Sequence, residues 1–210
     1  YNFSHSNSGD KRLQFTDASN GVVLDLHDGN MVAYGTYNTG SSLSVSGTGA
    51  RMIWYPKKAA FRAGRVSNDD WNDANIGTCS AALNRGTKAS GTCSISFGEN
   101  TEAASYCASA FGYSTVASGE YSTAMGSTVT TSGKGSFIIG DISTNTTLSD
   151  AVDNRFTARF DKGYKLFTSS DLSTGIRALS GANSWSSISD STKKEHFLSA
   201  DGESILSGDR

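Results

Sequence analysis

Large apolar and small residues alternate along the middle of the chain in a pattern that recurs every 14 residues. In each unit the large residue directly precedes a glycine, or Asn84 in the first unit, and a small residue precedes the large one. Alternation with a period of two over about five residues predicts a short strand with one buried face. The marker glycines are Gly98, Gly112, Gly126 and Gly140, and the large residues are Leu83, Phe97, Phe111, Met125 and Ile139.

Small-residue stretches such as Ala89-Ser90-Gly91 and Ala117-Ser118-Gly119 lie between these strands and predict turns. Each unit is therefore expected to form one coil of two short strands, and successive coils to stack at the strand spacing of about 4.8 Å. We expect the large residues to fill the coil. The small residues of the other face, Ala82, Ser96, Ala110 and Ala124, would then let another copy of the chain approach closely.

The flanking segments also predict β-structure. Residues 1–48 form an expected antiparallel module, in which the alternating residues of 22–27 precede a hairpin turn at residues 27–30. Downstream, residues 154–160 and 164–168 predict two strands of a hairpin joined at 161–163.

Residues 49–75 differ from both neighbours because they concentrate aromatic and cationic side chains, and we expect them to cap the open end of the first coil. The acidic stretch 67–75 does not match a calcium loop. Counted from Asp70, the fifth position is Ala74 and the sixth is Asn75 instead of glycine. A turn or short helix around Trp71 is the better interpretation.

Composition changes the picture by limiting the core. Ser, Thr and Gly occupy 78 of 210 positions, and Leu, Ile, Val and Phe only 18%. So low a content of large apolar residues suggests disorder, but a net charge of −2 and a single proline argue against it. Thin repetitive β-structure is consistent with both the low apolar content and the low net charge. Mixed charges exclude a nucleic-acid footprint, and no apolar run reaches the roughly 20 residues of a membrane span.

Three cysteines, Cys79, Cys93 and Cys107, follow the same 14-residue step and should stack on adjacent coils. The favoured interpretation is a buried column of free thiols that act as small apolar residues. A single disulfide between neighbours is an alternative, because the expected Cα separation lies inside the allowed range. A metal site is the weakest of the three.

The repeats of residues 76–141, with their Ser-x-Ala-x-Gly units, resemble the head repeats of trimeric autotransporter adhesins, which also occur in bacteriophage tail fibres. Residues 51–64 resemble the segment before such heads in exported fibre proteins, including the mosaic adhesive trimers of predatory bacteria. The resemblance implies an all-β homotrimeric fibre of stacked β-roll coils. We expect the chain to consist of an antiparallel module at 1–48, a cap connector at 49–75, the head repeats at 76–141, a β neck at 142–189 and a C-terminal segment at 190–210.

Residues 189–195, Ser-Asp-Ser-Thr-Lys-Lys-Glu, resemble the opening of the intramolecular chaperone domain that ends endosialidases and phage tail spikes. In that family the chaperone trimerises the fibre and cuts itself off between Ser and Asp. The resemblance implies Ser189 as the nucleophile, Lys194 as its base and Asp190 across the scissile bond. Residues 190–210 are therefore the expected start of this domain, and with 21 residues beyond the bond we expect no self-cleavage by this length of chain.

These features together predict an extracellular fibre tip on a bacterial surface that binds a glycan or receptor on a host or prey cell, with no enzymatic activity, cofactor, metal, nucleic-acid partner or membrane insertion. A phage tail fibre and a passive stalk are the alternatives. Six aromatic residues could stack on sugars: Tyr34, Tyr37, Trp54, Tyr55, Trp71 and Trp185. Packing inside turns or between chains is the alternative explanation for each of them.

Overall fold

The computed structural model of the chain describes residues 2–5, 12–17, 21–27 and 30–189. Over these residues the protein is all-β, as predicted, and the helical elements among them are two 3-10 turns, Pro56–Lys58 and Asp73–Asn75. None of the described helical segments is long and apolar enough to cross a membrane. The chain divides into two compact units, 1–159 and 160–210.

The strands are numbered in chain order. They are β1 Asn2–His5, β2 Arg12–Asp17, β3 Gly21–His27, β4 Asn30–Ala33, β5 Gly49–Tyr55, β6 Ala60–Val66, β7 Ala81–Arg85, β8 Lys88–Ala89, β9 Ile95–Glu99, β10 Glu102–Ala103, β11 Ser109–Ala117, β12 Thr123–Thr131, β13 Phe137–Gly140, β14 Leu148–Asp150, β15 Phe156–Arg159, β16 Gly163–Phe167, β17 Thr174–Leu179 and β18 Ser186–Ser189.

The first four strands form an antiparallel sheet in the order β1-β2-β3-β4. His27 pairs with Asn30 and Leu26 with Met31, so the hairpin predicted between these strands is confirmed. The pairing of β2 with β3 shifts register between Phe15 and Thr16.

The repeats form a stack of parallel strands, which we call the repeat stack and which runs from β5 to β15. Its first ladder joins β6, β7, β9, β11, β12, β13 and β15, with β5 added antiparallel to β6. Phe97 pairs with Phe111 and Phe111 with Met125, so each step of the ladder is one 14-residue unit. The second ladder joins β8, β10, the second halves of β11 and β12, and β14.

The interior of the repeat stack reverses the predicted arrangement of large and small residues. Most residues that point inward are small and fully buried: Ala82, Ser96, Ala110 and Ala124 from the first ladder, and Ala89, Ala103 and Ala117 from the second. Ile138, which follows Ala124 in the first column, and Val129 are larger buried residues near the last strands of the stack. The two ladders pack so closely that Ala103 and Ala117 share one cluster with Ala110, Ala124 and Ile138. An interior this narrow has little room for a column of aromatic rings, so the large residues lie on the outer face.

Glycine and serine maintain this narrow spacing. Gly98, Gly112 and Gly126 have φ between +104° and +128°, and a Cβ on any of them would overlap the carbonyl oxygen of the next glycine in the column. At the turns, inward serines donate hydrogen bonds of 2.6–2.7 Å to the carbonyl of the glycine three residues earlier. These pairs are Ser80 with Gly77, Ser94 with Gly91, Ser122 with Gly119 and Ser136 with Gly133.

Charged side chains close both ends of the interior columns. At the first end Arg62 is fully buried beside Ala82 in the register and donates to the carbonyls of Phe61, Ser80 and Ala89 and to the Ser80 hydroxyl at 2.8–2.9 Å. At the other end the buried Asp150 follows Thr131 in its column.

A second apolar cluster lies in the segment predicted to cap the stack. Trp71 is fully buried there, and its Nε1 donates to the carbonyl of Thr87 at 2.7 Å. The cluster also contains Ile53, Tyr55, Ala60, Val66 and Ile76. The turn expected near Trp71 is the 3-10 turn Asp73–Asn75.

The hairpin predicted between residues 154–160 and 164–168 is wrong. β15 pairs in parallel with β13, with Phe156 opposite Phe137, and so extends the repeat stack by one strand. β16 instead begins a separate antiparallel sheet in the order β16-β17-β18. Phe156 and Ala158 fit the outward rows of the stack, which explains why this strand joins it.

Candidate functional site

An apolar stripe runs along the outer face of the first ladder. Every strand contributes two outward residues, which are separated by one residue of the opposite face. The first of these positions along the parallel strands forms row A and the second forms row B. Row A contains Trp54, Phe61, Ala81, Ile95, Ser109, Thr123, Phe137 and Phe156, and row B contains Met52, Ala63, Leu83, Phe97, Phe111, Met125, Ile139 and Ala158.

The stripe is exposed in the single chain although its large members are apolar. Phe97 is 44% exposed, Met52 64% and Phe156 67%. Neither row contains a charged residue. Eight strands at about 4.8 Å give the stripe a length of roughly 34 Å. Ser109 and Thr123 interrupt the apolar residues of row A, whereas row B contains only apolar residues, and an exposed apolar surface of this extent is a candidate interaction site.

Stacked ion pairs lie on neighbouring units outside the two rows. Arg85 lies 3.3 Å from Glu99 on the next strand, and Lys88 of β8 lies 3.1 Å from Glu102 of β10. These side chains are partly exposed and contribute little to stability individually. Arg85 and Glu99 lie two residues beyond row B on β7 and β9, so this pair places charged side chains at one border of the stripe.

The structure separates the six aromatic residues predicted as sugar-stacking candidates. Tyr34, Tyr37, Trp54 and Trp185 are exposed. Tyr55 and Trp71 are buried in the cluster described above, and we correct the prediction for both because neither ring face is accessible to a ligand. Trp54 belongs to row A, and Tyr34 and Tyr37 lie in the connection that follows β4.

Tyr55 is instead part of a polar network. Its hydroxyl donates to Asp73 Oδ1 at 2.6 Å, and Lys58 Nζ lies 3.4 Å from the same oxygen. Burial raises the pKa of Tyr55, and the hydrogen bond to Asp73 raises it further. The same hydrogen bond, followed by the charge of Lys58, lowers the pKa of Asp73. Lys58 also donates to the carbonyl of Ile76 at 2.9 Å, so the network anchors the turn.

The cysteine column is not buried, which corrects the favoured prediction. Cys79 and Cys93 are exposed and Cys107 is partly exposed, and all three are free thiols. They occupy the same place in successive turns, because Cys93 N donates to the carbonyl of Thr78 at 2.7 Å and Cys107 N to that of Thr92 at 2.9 Å. Their φ angles of +54°, +57° and +51° lie in the left-handed region.

Of the predicted self-cleavage residues, Ser189 ends β18 and is exposed. Asp190 and Lys194 lie outside the described residues. Among the residues that the structure describes, no group of three His, Cys, Asp or Glu side chains is arranged to hold a metal ion.

Comparisons with models of known protein families, with curated proteins and with solved structures found no match to this chain. The stripe is the candidate functional feature that the sequence did not lead us to expect. Its signal was present in the strict recurrence of a large apolar residue before each marker glycine, but that recurrence was assigned to the interior.

Proposed function

We propose that this chain is part of a homotrimeric extracellular fibre, in which the apolar stripes of three copies meet along a common axis and the assembled fibre mediates adhesion. The single observation that carries the proposal is the uncharged stripe along the first ladder. The proposed partner of each stripe is the stripe of another copy of the chain, because two identical rows of repeating units match in length and spacing.

The energetics favour association over exposure. Full burial of a Phe, Met or Ile side chain contributes about 1.5–3 kcal/mol, and the stripe offers seven such side chains that are at least about a third exposed: Met52, Phe61, Ile95, Phe97, Met125, Phe137 and Phe156. The interior of one chain contains mainly alanine, serine and threonine. The large apolar residues of this proposed β-roll therefore stabilise the assembly more than they stabilise the chain alone.

Adhesion is the part of the proposal that rests on the resemblance to trimeric adhesin heads. Exposed aromatic side chains support it, because Tyr34 and Tyr37 lie in a connection without strands and present rings that a sugar could stack on. Two alternative functions share this trimeric architecture: a phage tail fibre, and a passive stalk that binds no ligand.

Light scattering coupled to size exclusion tests the assembly. We expect a mass of three chains for the native protein and a mass near the single-chain 22.0 kDa for Phe97→Glu. A carboxylate in the middle of a buried apolar seam is strongly unfavourable, whereas residue 97 of the single chain is exposed enough to accept one. Ala104→Glu places the same charge on an exposed position outside both rows and should leave the trimer intact. A native protein that is folded and monomeric contradicts the proposal.

A glycan array tests adhesion with a preparation whose trimeric mass has been verified. We expect binding that Tyr34→Ala or Tyr37→Ala weakens and that Tyr113→Ala, an exposed tyrosine of β11, leaves unchanged. Absence of binding by verified trimer favours the stalk over the adhesin.

Self-cleavage between Ser189 and Asp190 is proposed for a longer protein that contains a full chaperone domain. A hydroxyl becomes a nucleophile at neutral pH when a neighbouring base accepts its proton, and Lys194 is the proposed base. Intact mass spectrometry should find a product that ends at Ser189, and Ser189→Ala should abolish it. A product with a different end refutes the site.

A further inference from the structure

The column of three thiols carries an inference that does not depend on trimerisation or adhesion. The backbone at these positions does not call for cysteine, since φ near +54° favours glycine and Gly135 occupies the equivalent place two units further along. Packing does not call for it either, because Cys79 and Cys93 are exposed. Neither local conformation nor burial explains three successive cysteines, which leaves the chemistry of the thiol.

The register places the Cα atoms of neighbouring cysteines at a spacing that a disulfide accepts. Each cysteine N–H bonds to the turn of the preceding unit, so adjacent Cα atoms are about 4.8 Å apart. This spacing lies inside the 4.4–6.8 Å range of disulfides, whereas Cys79 and Cys107 are two steps, or about 9.6 Å, apart and lie outside it. Cys93 is therefore the only one of the three with a partner on each side.

Tyr106 is exposed and directly precedes Cys107 in the chain. The charge of Cys107 and a hydrogen bond to it raise the pKa of the Tyr106 phenol, and the charges of Tyr121 and Cys93 raise it further. The Tyr121 ring packs edge to face on Tyr106 with centroids 5.3 Å apart, so the thiols border an aromatic surface on the same turns.

We propose that Cys79, Cys93 and Cys107 form a thiol–disulfide exchange site whose substrate is an accessible disulfide on a small molecule or another protein. The thiolate of Cys93 attacks one sulfur of the substrate disulfide, which forms a mixed disulfide and releases the other half as a thiolate. The thiolate of Cys79 or Cys107 then attacks the Cys93 sulfur, which forms the intrachain disulfide and releases the second half. Two protein thiols are oxidised, one substrate disulfide is reduced to two thiols, and the two protons of the protein thiols pass to the released thiolates.

The odd number of cysteines has a consequence for the oxidised state. Whichever neighbours pair, one free thiol remains at the end of the column and can attack the adjacent disulfide. The bond can then move between 79–93 and 93–107, and it stays exchangeable.

Intact mass spectrometry of the folded protein after exposure to glutathione disulfide and alkylation tests the site. We expect the native chain to lose two hydrogens and to keep one alkylatable thiol. Cys79→Ser and Cys107→Ser each retain one neighbouring pair and should also lose two hydrogens. Cys93→Ser should instead accumulate glutathione adducts without that loss, because its remaining thiols are too far apart.

Three results would overturn the proposal: loss of two hydrogens by Cys93→Ser as fast as by Cys79→Ser, persistence of adducts or of three free thiols on the native chain, or disulfides between chains in place of intrachain ones. Circular dichroism of each variant verifies that the fold is retained. The outcome is independent of oligomeric mass, so failure here leaves the trimer proposal unaffected.

Discussion

At the residue scale, a few polar side chains at the ends of the narrow interior have effects out of proportion to their number. Arg62 is an example, because it is buried, has no ion pair among the described residues, and is held by acceptors of the backbone and of Ser80. Burial lowers the pKa of Arg62 to about 10, which corresponds to about 3 kcal/mol against the charged form. Four hydrogen bonds from Nη1 and Nη2 offset this cost, because bonds from a charged donor are stronger than neutral ones. The Nε–H is buried without an acceptor among the described residues, so the guanidinium is not fully satisfied.

We predict that Arg62→Ala lowers the free energy of unfolding by about 2–4 kcal/mol, through loss of these hydrogen bonds and an unfilled space at the end of the column. Urea denaturation followed by circular dichroism measures the change. Arg65→Ala is the matched control, since Arg65 lies on the same strand with an exposed side chain, and its effect should stay within about 0.5 kcal/mol. Equal losses in both variants would mean that Arg62 does not cap the interior.

Asp150 closes the other end and makes stability depend on pH. Hydrogen bonds from Arg155 and Thr157, and then from the backbone of Val152, hold the pKa of Asp150 well below its usual range. A lowered pKa in the folded state stabilises the fold at pH values above the unfolded pKa of about 4, and this contribution is lost as the pH falls below it.

We therefore predict that the native protein has a higher midpoint of thermal unfolding than Asp150→Asn at pH 6, and that this difference shrinks progressively below about pH 4. Thermal scans at a series of pH values measure it. Asp69→Asn, which changes an exposed aspartate, should follow the native protein throughout. A difference that is constant with pH would exclude the Asp150 carboxylate as its source.

At the element scale, the stacking of the strands depends on the glycine column. Gly112 combines a φ of +117° with a position at which a Cβ would overlap the carbonyl oxygen of Gly126. Gly86 also has a positive φ, of +60°, but the atom that a Cβ there would overlap is the side-chain oxygen of Asn100, which can move, and the nearest backbone atom is at an ordinary contact distance of 3.7 Å.

We predict that Gly112→Ala lowers the free energy of unfolding by about 3 kcal/mol or more, and Gly86→Ala by about 1 kcal/mol, because only the first adds a backbone clash to the cost of the φ angle. Chemical denaturation of the two variants separates the cost of the φ angle from the cost of the backbone clash. Similar losses in both would show that close approach of the strands is not what the column requires.

The sequence predicts the register of these elements better than their faces. The 14-residue step appears directly as the pairing of Phe97, Phe111 and Met125. Alternation shows that a strand has two faces but does not say which one is buried, and the usual preference for large residues inside fails here. The uniformly small residues at Ala82, Ser96 and Ala110 indicate the interior, because a coil of 14 residues encloses little space.

Two other predictions failed for related reasons. The buried position expected for the cysteines assumed that a column of thiols must fill the interior, whereas they lie in exposed turns. The hairpin expected from residues 154–168 assumed local pairing, but Phe156 opposite Phe137 continues the outward row across a gap of 19 residues in place of 14. Long-range register of this kind leaves no local signal around 161–163.

At the scale of the whole molecule, the shortage of large apolar residues acquires a structural explanation. Most units of the repeat stack bury small residues in the chain and present their large ones outward, and Ile138 of the last unit is the large residue that is buried instead. The chain alone thus has a thin core, and the proposed assembly has a second one along the stripe. Stability should then be distributed between folding and association.

A reversible association of this kind makes thermal stability depend on protein concentration, because mass action favours the associated folded state. We predict that the unfolding midpoint of the native protein rises by several degrees over a roughly hundredfold increase in concentration, and that Ala104→Glu behaves in the same way. Phe97→Glu, which places a charge in the middle of row B, should unfold at a lower temperature that does not change with concentration. Scanning calorimetry over this range measures all three proteins. A native midpoint independent of concentration, for protein that unfolds reversibly, would mean that the stripe contributes nothing to stability through association, since burial of its exposed phenylalanines between copies must couple folding to concentration.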